Sequence, residues 1–256
     1  MRWESTGKRS QHPGYQKVYR THRSYLSSAL TMEKPTNENP NRSLTQGQID
    51  AFRRDGFVVI GKLLNDDILA ELRAEYDRLF DEARSDSRYR NLSADSGVAQ
   101  RHDEGADEEM LQIMQCCERS LAFRRLLYDD GILDIVEDLI GSRIQLFHDQ
   151  ALFKPAQHGG PISWHQDNGY WKCLPANLVS CWLTLDGVDV ANGAMHMIPG
   201  SHLAAHGHVR GDVLLDASEA LPDIDPTVVD LPAGGAMFHH CQTLHSTPPN
   251  RTDRQR

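Results

Sequence analysis

Apolar residues in the first half of the chain recur at helical spacing, whereas from about residue 144 they alternate or gather in strand-sized runs. Thr45 followed by Gln48 is a capping-box signature, and Ile49 and Phe52 carry a short helix that Gly56 stops. Phe57 to Ile60 is a compact β-branched run and predicts a strand. Ile68, Leu69, Leu72, Tyr76 and Leu79 form one stripe and predict a helix over 66–80. Residues 81–109 are charged and poor in apolar positions, so they are expected to form a mobile insertion. Apolar spacing returns over 110–114, and two short helices are expected over 121–128 and 132–140, ending at Gly141. Strands are then expected over 145–154, 162–167, 179–185, 195–198, 228–231 and 236–240, with a turn at Asn192-Gly193. Helices first and short strands afterwards predict an α+β domain with a mainly β core, its second half a jelly roll.

Composition narrows the partners. Acidic residues outnumber basic ones by 36 to 27, which argues against nucleic acid or an anionic membrane as the main partner and leaves a small-molecule substrate. The longest apolar runs are strand-sized, so no membrane-crossing helix is expected. Five cysteines form no CxxC pair, and their odd number suits a reducing, cytoplasmic setting. The first 31 residues set Arg2, Lys8, Arg9, Lys17, Arg20 and Arg23 against the single acid Glu4. Residues 1–43 are therefore expected to be a disordered basic extension and linker, with one folded domain over 44–256.

The candidate chemistry begins at His165 and Asp167. Two positions apart on a strand, they point to one face and can reach one metal ion. A second histidine would complete a two-histidine, one-carboxylate triad, which keeps the opposite positions of an octahedral Fe(II) free. Among thirteen histidines, His239, His240 and His245 are the candidates in the late strands. His245 is preferred because Ser246, Thr247 and the prolines behind it leave room around the ring, while His239 and His240 sit in an apolar strand and suit packing or support. An organic-acid cosubstrate needs a cation for its distal carboxylate, and a guanidinium supplies two parallel hydrogen bonds. Arg254 and Arg256 would share one face if a strand began near Asp253. Tyr170 and Trp171, beside the motif, would supply an apolar wall.

Trp164-His165-Gln166-Asp167, the stretch from Trp182 to Asp189, Asn192-Gly193 leading to Ile198-Pro199-Gly200-Ser201-His202, and His245 with Pro249-Asn250-Arg251-Thr252-Asp253-Arg254 resemble the phytanoyl-CoA dioxygenase family. The resemblance runs from about Leu44 to the last residue. It implies a double-stranded β-helix with flanking helices, and a non-haem Fe(II)- and 2-oxoglutarate-dependent dioxygenase that hydroxylates an unactivated carbon with O2, releasing succinate and CO2. It implies that His165, Asp167 and His245 bind iron. By the same resemblance Arg256 holds the 2-oxoglutarate carboxylate, with Arg254 as the fallback, and Trp182 and Thr247 line the cosubstrate. Related halogenases replace the carboxylate with a small residue, so Asp167 argues for oxygen insertion and against halogenation, with desaturation or epimerisation still open. Relatives continue beyond the arginine into a final strand, so the chain is expected to be truncated before it, leaving Arg256 frayed. Substrate specificity would lie in loops 85–109 and 200–225. Two readings from other classes stay open: a cupin-like metal hydrolase or isomerase, and a non-catalytic jelly-roll binding fragment.

Overall fold

The computed structural model describes residues 44–86, 90–92, 110–210 and 214–256. The expected basic extension and linker, and most of the charged insertion including Arg101 and His102, lie outside these residues. Helix α1 (Gln46–Asp55) opens on the expected capping box, Thr45 and Gln48 bonding reciprocally, and closes at Gly56 with φ 85°. Strand β1 (Phe57–Lys62) follows. Helix α2 (Asp66–Asp86) runs six residues beyond the predicted end. The extra turns form because Ala83 joins Leu79 and Phe80 against Leu111, Ile113 and Ala151, a tertiary contact that the charged residues around it conceal. Three short helices come next: α3 (Cys116–Arg119), α4 (Leu121–Leu126) and α5 (Asp130–Ile140), the last capped by the Asp129 carboxylate accepting from the Ile132 N–H.

Two antiparallel sheets carry the second half. One orders β1, β11 (Gly235–His240) and β6 (Val179–Leu183). The other orders β10 (Thr227–Val229), β7 (Met195–Met197), β12 (His245–Thr247) and β5 (Ile162–His165). A further sheet joins β2 (Arg90–Asn91), β3 (Leu111–Met114) and β4 (Gln150–Phe153), and a two-stranded ladder pairs β8 (Val209–Arg210) with β9 (Leu215–Asp216). Phe57 and Met237 of the first main sheet pack with Met195, Met197 and Val229 of the second, so the inner faces share one core, with Trp182 against it. Along β11 the side chains alternate as a pleated strand requires. Met237 faces this core, while Ala236 and Phe238 face the opposite layer, packing with Phe52 of α1 and Ile135 of α5. The same alternation turns His239 inward.

Two strand expectations need correction. The strand predicted over 145–154 exists only as β4. The preceding residues leave the ladder because Phe147 and His148 stack on Trp171 and the Asp149 carboxylate accepts from the Cys117 N–H. The strand predicted over 162–167 ends at His165, and Asp167 opens a short helix, α6 (Asp167–Trp171). The Asn168 side chain holds that turn closed by bonding both the N–H and the carbonyl of Cys173. Other strand ends shift by a few residues at most. No described helix is long and apolar enough to cross a membrane.

Candidate metal centre

His165 ends β5 and His245 begins β12, and the two are direct cross-strand partners. Asp167 reaches the same point because Gln166 is still extended (φ −105°, ψ 132°), so the period-two geometry persists past the end of the ladder. Gln166 accordingly points the other way, where its buried amide donates to the carbonyls of Ala204 and Gln242 and accepts from the His206 N–H. His165 Nε2 and His245 Nε2 lie 3.8 and 3.7 Å from Asp167 Oδ1. One ligand atom from each of the three residues lies within 4.8 Å of the others, a spacing that can hold a metal ion.

The ring orientations are fixed before any ion arrives. His165 Nδ1 donates to the Ser163 carbonyl at 2.8 Å, and His245 Nδ1 donates to the Thr243 carbonyl at 2.9 Å. A carbonyl can only accept, so both rings carry their proton on Nδ1 and turn a bare Nε2 toward Asp167. Burial pushes His165 below its ordinary value and His245 down to about 3, with the His165 imidazole adding to the effect on His245. Burial works against ionisation of Asp167, but His245, His239 and His165 around it prevail and hold the carboxyl well below the usual range. At neutral pH the set is therefore two neutral imidazoles and one carboxylate, the protonation state a divalent ion requires. The other carboxylate oxygen, Oδ2, accepts from Ser180 Oγ at 3.0 Å and lies 3.1 Å from His239 Nε2.

The structure separates the two arginines. Residues 251–256 form no strand. Arg254 lies outside, paired with Asp189 at 2.7 Å, and does not join the site. Arg256 is not frayed: its N–H and carbonyl bond the carbonyl and N–H of Lys154 at 3.0 and 2.7 Å. Its guanidinium sits 5.4 Å from the centre of the Trp182 ring. Its Nε and Nη2 are buried with no partner among the described residues, and this desolvation pushes the group down to about 10 while Tyr76 opposes the shift.

Thr247 is buried, and its hydroxyl accepts from Lys154 Nζ at 2.9 Å. Lys154 escapes sequence reasoning. It is fully buried, with Nζ also donating to the Pro248 carbonyl, and the bare backbones of Gly159 and Gly193 accommodate its stem. Its one outward sign is a lysine closing the apolar run Ala151-Leu152-Phe153. Of the two strand histidines, His239 reaches the triad, whereas His240 faces away, its ring 6.4 Å from Phe52. Tyr170 meets the His165 ring edge-on at 5.6 Å, and Trp171 packs with Phe147 at 5.3 Å and His148 at 4.9 Å.

Antiparallel sheets around a shared core, with two histidines from neighbouring strands and an aspartate just beyond the end of one of them, define a two-histidine, one-carboxylate protein. The phytanoyl-CoA dioxygenase family model matches residues 52–256, and the chain belongs to that family. It is 27% identical over 224 residues to the peroxisomal phytanoyl-CoA dioxygenase of Mus musculus, covering 83% of this chain and 66% of that protein. It is 26% identical over 234 residues to the ectoine dioxygenase of Halomonas elongata, covering 83% and 68%. The chain thus spans about two-thirds of the length of these relatives. Among solved structures it resembles the epimerase SnoN in complex with Fe3+, alpha ketoglutarate and nogalamycin RO, with a TM-score of 0.65 and 27% identity over 82% of this chain and 79% of that one.

Proposed function

We propose that this chain is a non-haem Fe(II)- and 2-oxoglutarate-dependent dioxygenase that hydroxylates an unactivated carbon of a small organic metabolite, built on a double-stranded β-helix. The observation that carries this reading is the pairing of two prepared sites. Two histidines present bare Nε2 atoms to one carboxylate, and on the same core a buried guanidinium has nitrogen donors with no hydrogen-bond partner among the described residues. His165, Asp167 and His245 would hold Fe(II). Arg256 would take the distal carboxylate of 2-oxoglutarate, against the ring of Trp182 and beside Thr247. When bound, iron would supply activation of O2, the oxidant, which takes two electrons from 2-oxoglutarate, released as succinate and CO2, and two from the substrate C–H bond as one oxygen enters it.

The chain's own residues do the rest. The Ser163 and Thr243 carbonyls hold the imidazoles in register. Lys154 Nζ has only protons to offer, so it obliges the Thr247 oxygen to accept and leaves the hydroxyl proton free for a carboxylate. Tyr170, Trp171 and Phe147 would form an apolar wall for the substrate. Asp167 occupies the position that a halide would need, which favours oxygen insertion. All five cysteines are free, in keeping with a reducing cytoplasm. A metal hydrolase would use the same triad but has no need of a buried, unpartnered arginine. Succinate formed from 2-oxoglutarate only when Fe(II) is supplied, and lost in His245→Ala, is the expected result. Stoichiometric zinc with no 2-oxoglutarate turnover by the protein across a metabolite extract would favour the hydrolase.

A further inference from the structure

The two oxygens of Asp167 have different surroundings. Oδ1 faces the bare Nε2 atoms of His165 and His245. Oδ2 is engaged by two groups from the other sheet, Ser180 Oγ at 3.0 Å and His239 Nε2 at 3.1 Å. Ser180 and His239 are direct cross-strand partners on β6 and β11. Each lies two residues from a core-facing side chain, Trp182 and Met237 respectively, so both belong to the inner face. Nδ1 of His239 is buried without a hydrogen-bond partner among the described residues, so its ring proton belongs on Nε2, where the carboxylate accepts it. One sheet thus supplies the two histidines, and the facing sheet supplies two hydrogen-bond donors to the carboxylate between them.

We propose that Ser180 and His239 are positioning residues that keep Asp167 Oδ2 away from the metal, so that the carboxylate binds through Oδ1 alone. This inference rests on the metal reading above and adds a claim about how the carboxylate binds. The physical reason is a count of positions. An octahedral ion bound through one atom of each triad residue keeps three positions open, enough for a two-atom chelate and one further ligand. A carboxylate free to bind through both oxygens would take one of them. Two donors on Oδ2 compete directly with that second bond, and charge-assisted hydrogen bonds to a buried carboxylate are strong enough to compete.

Co(II) added to the metal-free protein is the probe, read by dissociation constant, by visible absorption, and by infrared difference spectra of protein with 13C-labelled aspartate carboxylates. Ser180→Ala and His239→Leu remove one donor each, while Ser180→Thr and His239→Gln return a hydroxyl and an amide N–H. Each removal is expected to weaken Co(II) binding about 10- to 100-fold. It is also expected to move the aspartate stretching bands from the one-oxygen to the two-oxygen pattern, and the conservative variants are expected to restore both. Wild-type affinity and bands in Ser180→Ala, or in both removal variants, would overturn the proposal. So would the loss of one imidazole nitrogen from the Cu(II) pulsed-EPR spectrum of His239→Leu, which would make His239 a ligand. If His239→Leu does not fold, Ser180→Ala and Ser180→Thr decide the question. Asp167→Ala separates the two layers. If it binds Co(II) as tightly as wild type, the metal reading falls; if it loses Co(II) while both removal variants match wild type, only the positioning role falls.

Discussion

The triad and the Arg256 anchor answer the same problem, a buried charge, in opposite ways. At the triad the polar atoms are largely satisfied within the protein: two carbonyls take the Nδ1 protons, and Ser180 and His239 attend Oδ2. What remains unsatisfied is a small set of lone pairs aimed at one point. At Arg256 the backbone is tied to Lys154, yet two guanidinium nitrogens are buried with no hydrogen-bond partner among the described residues. A buried charge without a counter-ion is costly, on the order of several kcal/mol. Such a group persists where something outside the chain completes it. On the reading proposed above, the metal half of the site is pre-assembled, while the anion half stays energetically unfavourable until a carboxylate completes it.

Removing the anchor gives the largest separation between the two halves. Arg256→Met is expected to lower 2-oxoglutarate affinity at least about 100-fold, in line with loss of a charge-assisted pair. It should leave Co(II) binding unchanged and raise the stability of the ligand-free protein by about 1–2 kcal/mol, because an unpaired buried charge is gone. Calorimetric titration and denaturant unfolding check both halves. A ligand-free protein destabilised by the substitution would show that Arg256 is already satisfied.

Acid should act on the triad. The folded values of His165 and His245 lie below the ordinary histidine value, so below that value the unfolded chain binds more protons than the folded one. Their contribution to stability is present above pH about 6.5 and is lost as pH falls toward about 3. Asp167, also lowered, adds a loss of the same sign below its ordinary range. Unfolding free energy of the metal-free protein should therefore fall steadily from pH 6.5 downward, and His245→Gln should flatten the slope. An unchanged slope in that variant would count against a neutral, buried His245.

The smaller effects concern the rim. Trp171→Ala is expected to raise the substrate KM about tenfold with kcat nearly unchanged, in line with an aromatic contact of about 1.5 kcal/mol. Arg254→Ala, which breaks only an exposed pair with Asp189, should leave 2-oxoglutarate affinity at the wild-type value. A loss there comparable with that of Arg256→Met would move the anchor to residue 254.

How legible all this was in the sequence follows from how local each feature is. The His165–Asp167 pair needs only the two-residue period of an extended chain, which survives even though the helix begins at Asp167. The capping box of α1 and its glycine stop are equally local. The hold on Arg256 was not legible, because its partner Lys154 is remote in sequence and a lysine at a strand end ordinarily signals solvent. For the same reason 145–149 looked like strand: nothing nearby reveals that Phe147 and His148 will turn to Trp171. Helix α2 outran its apolar stripe through one buried alanine. His239 was legible as a supporting residue, but Ser180 was not, since its role depends on the register of β6 against β11.

Anaerobic addition of 2-oxoglutarate to the Fe(II)-loaded protein tests most directly whether the triad and Arg256 form one centre. A weak visible charge-transfer band, which arises only when the keto acid chelates ferrous iron, should appear in wild type. It should be lost in His245→Ala through failure to hold iron. In Arg256→Met it should need at least about 100-fold more 2-oxoglutarate, the shift expected for the missing charge-assisted pair. A wild-type protein that binds Fe(II) yet shows no band at saturating 2-oxoglutarate would contradict the assignment.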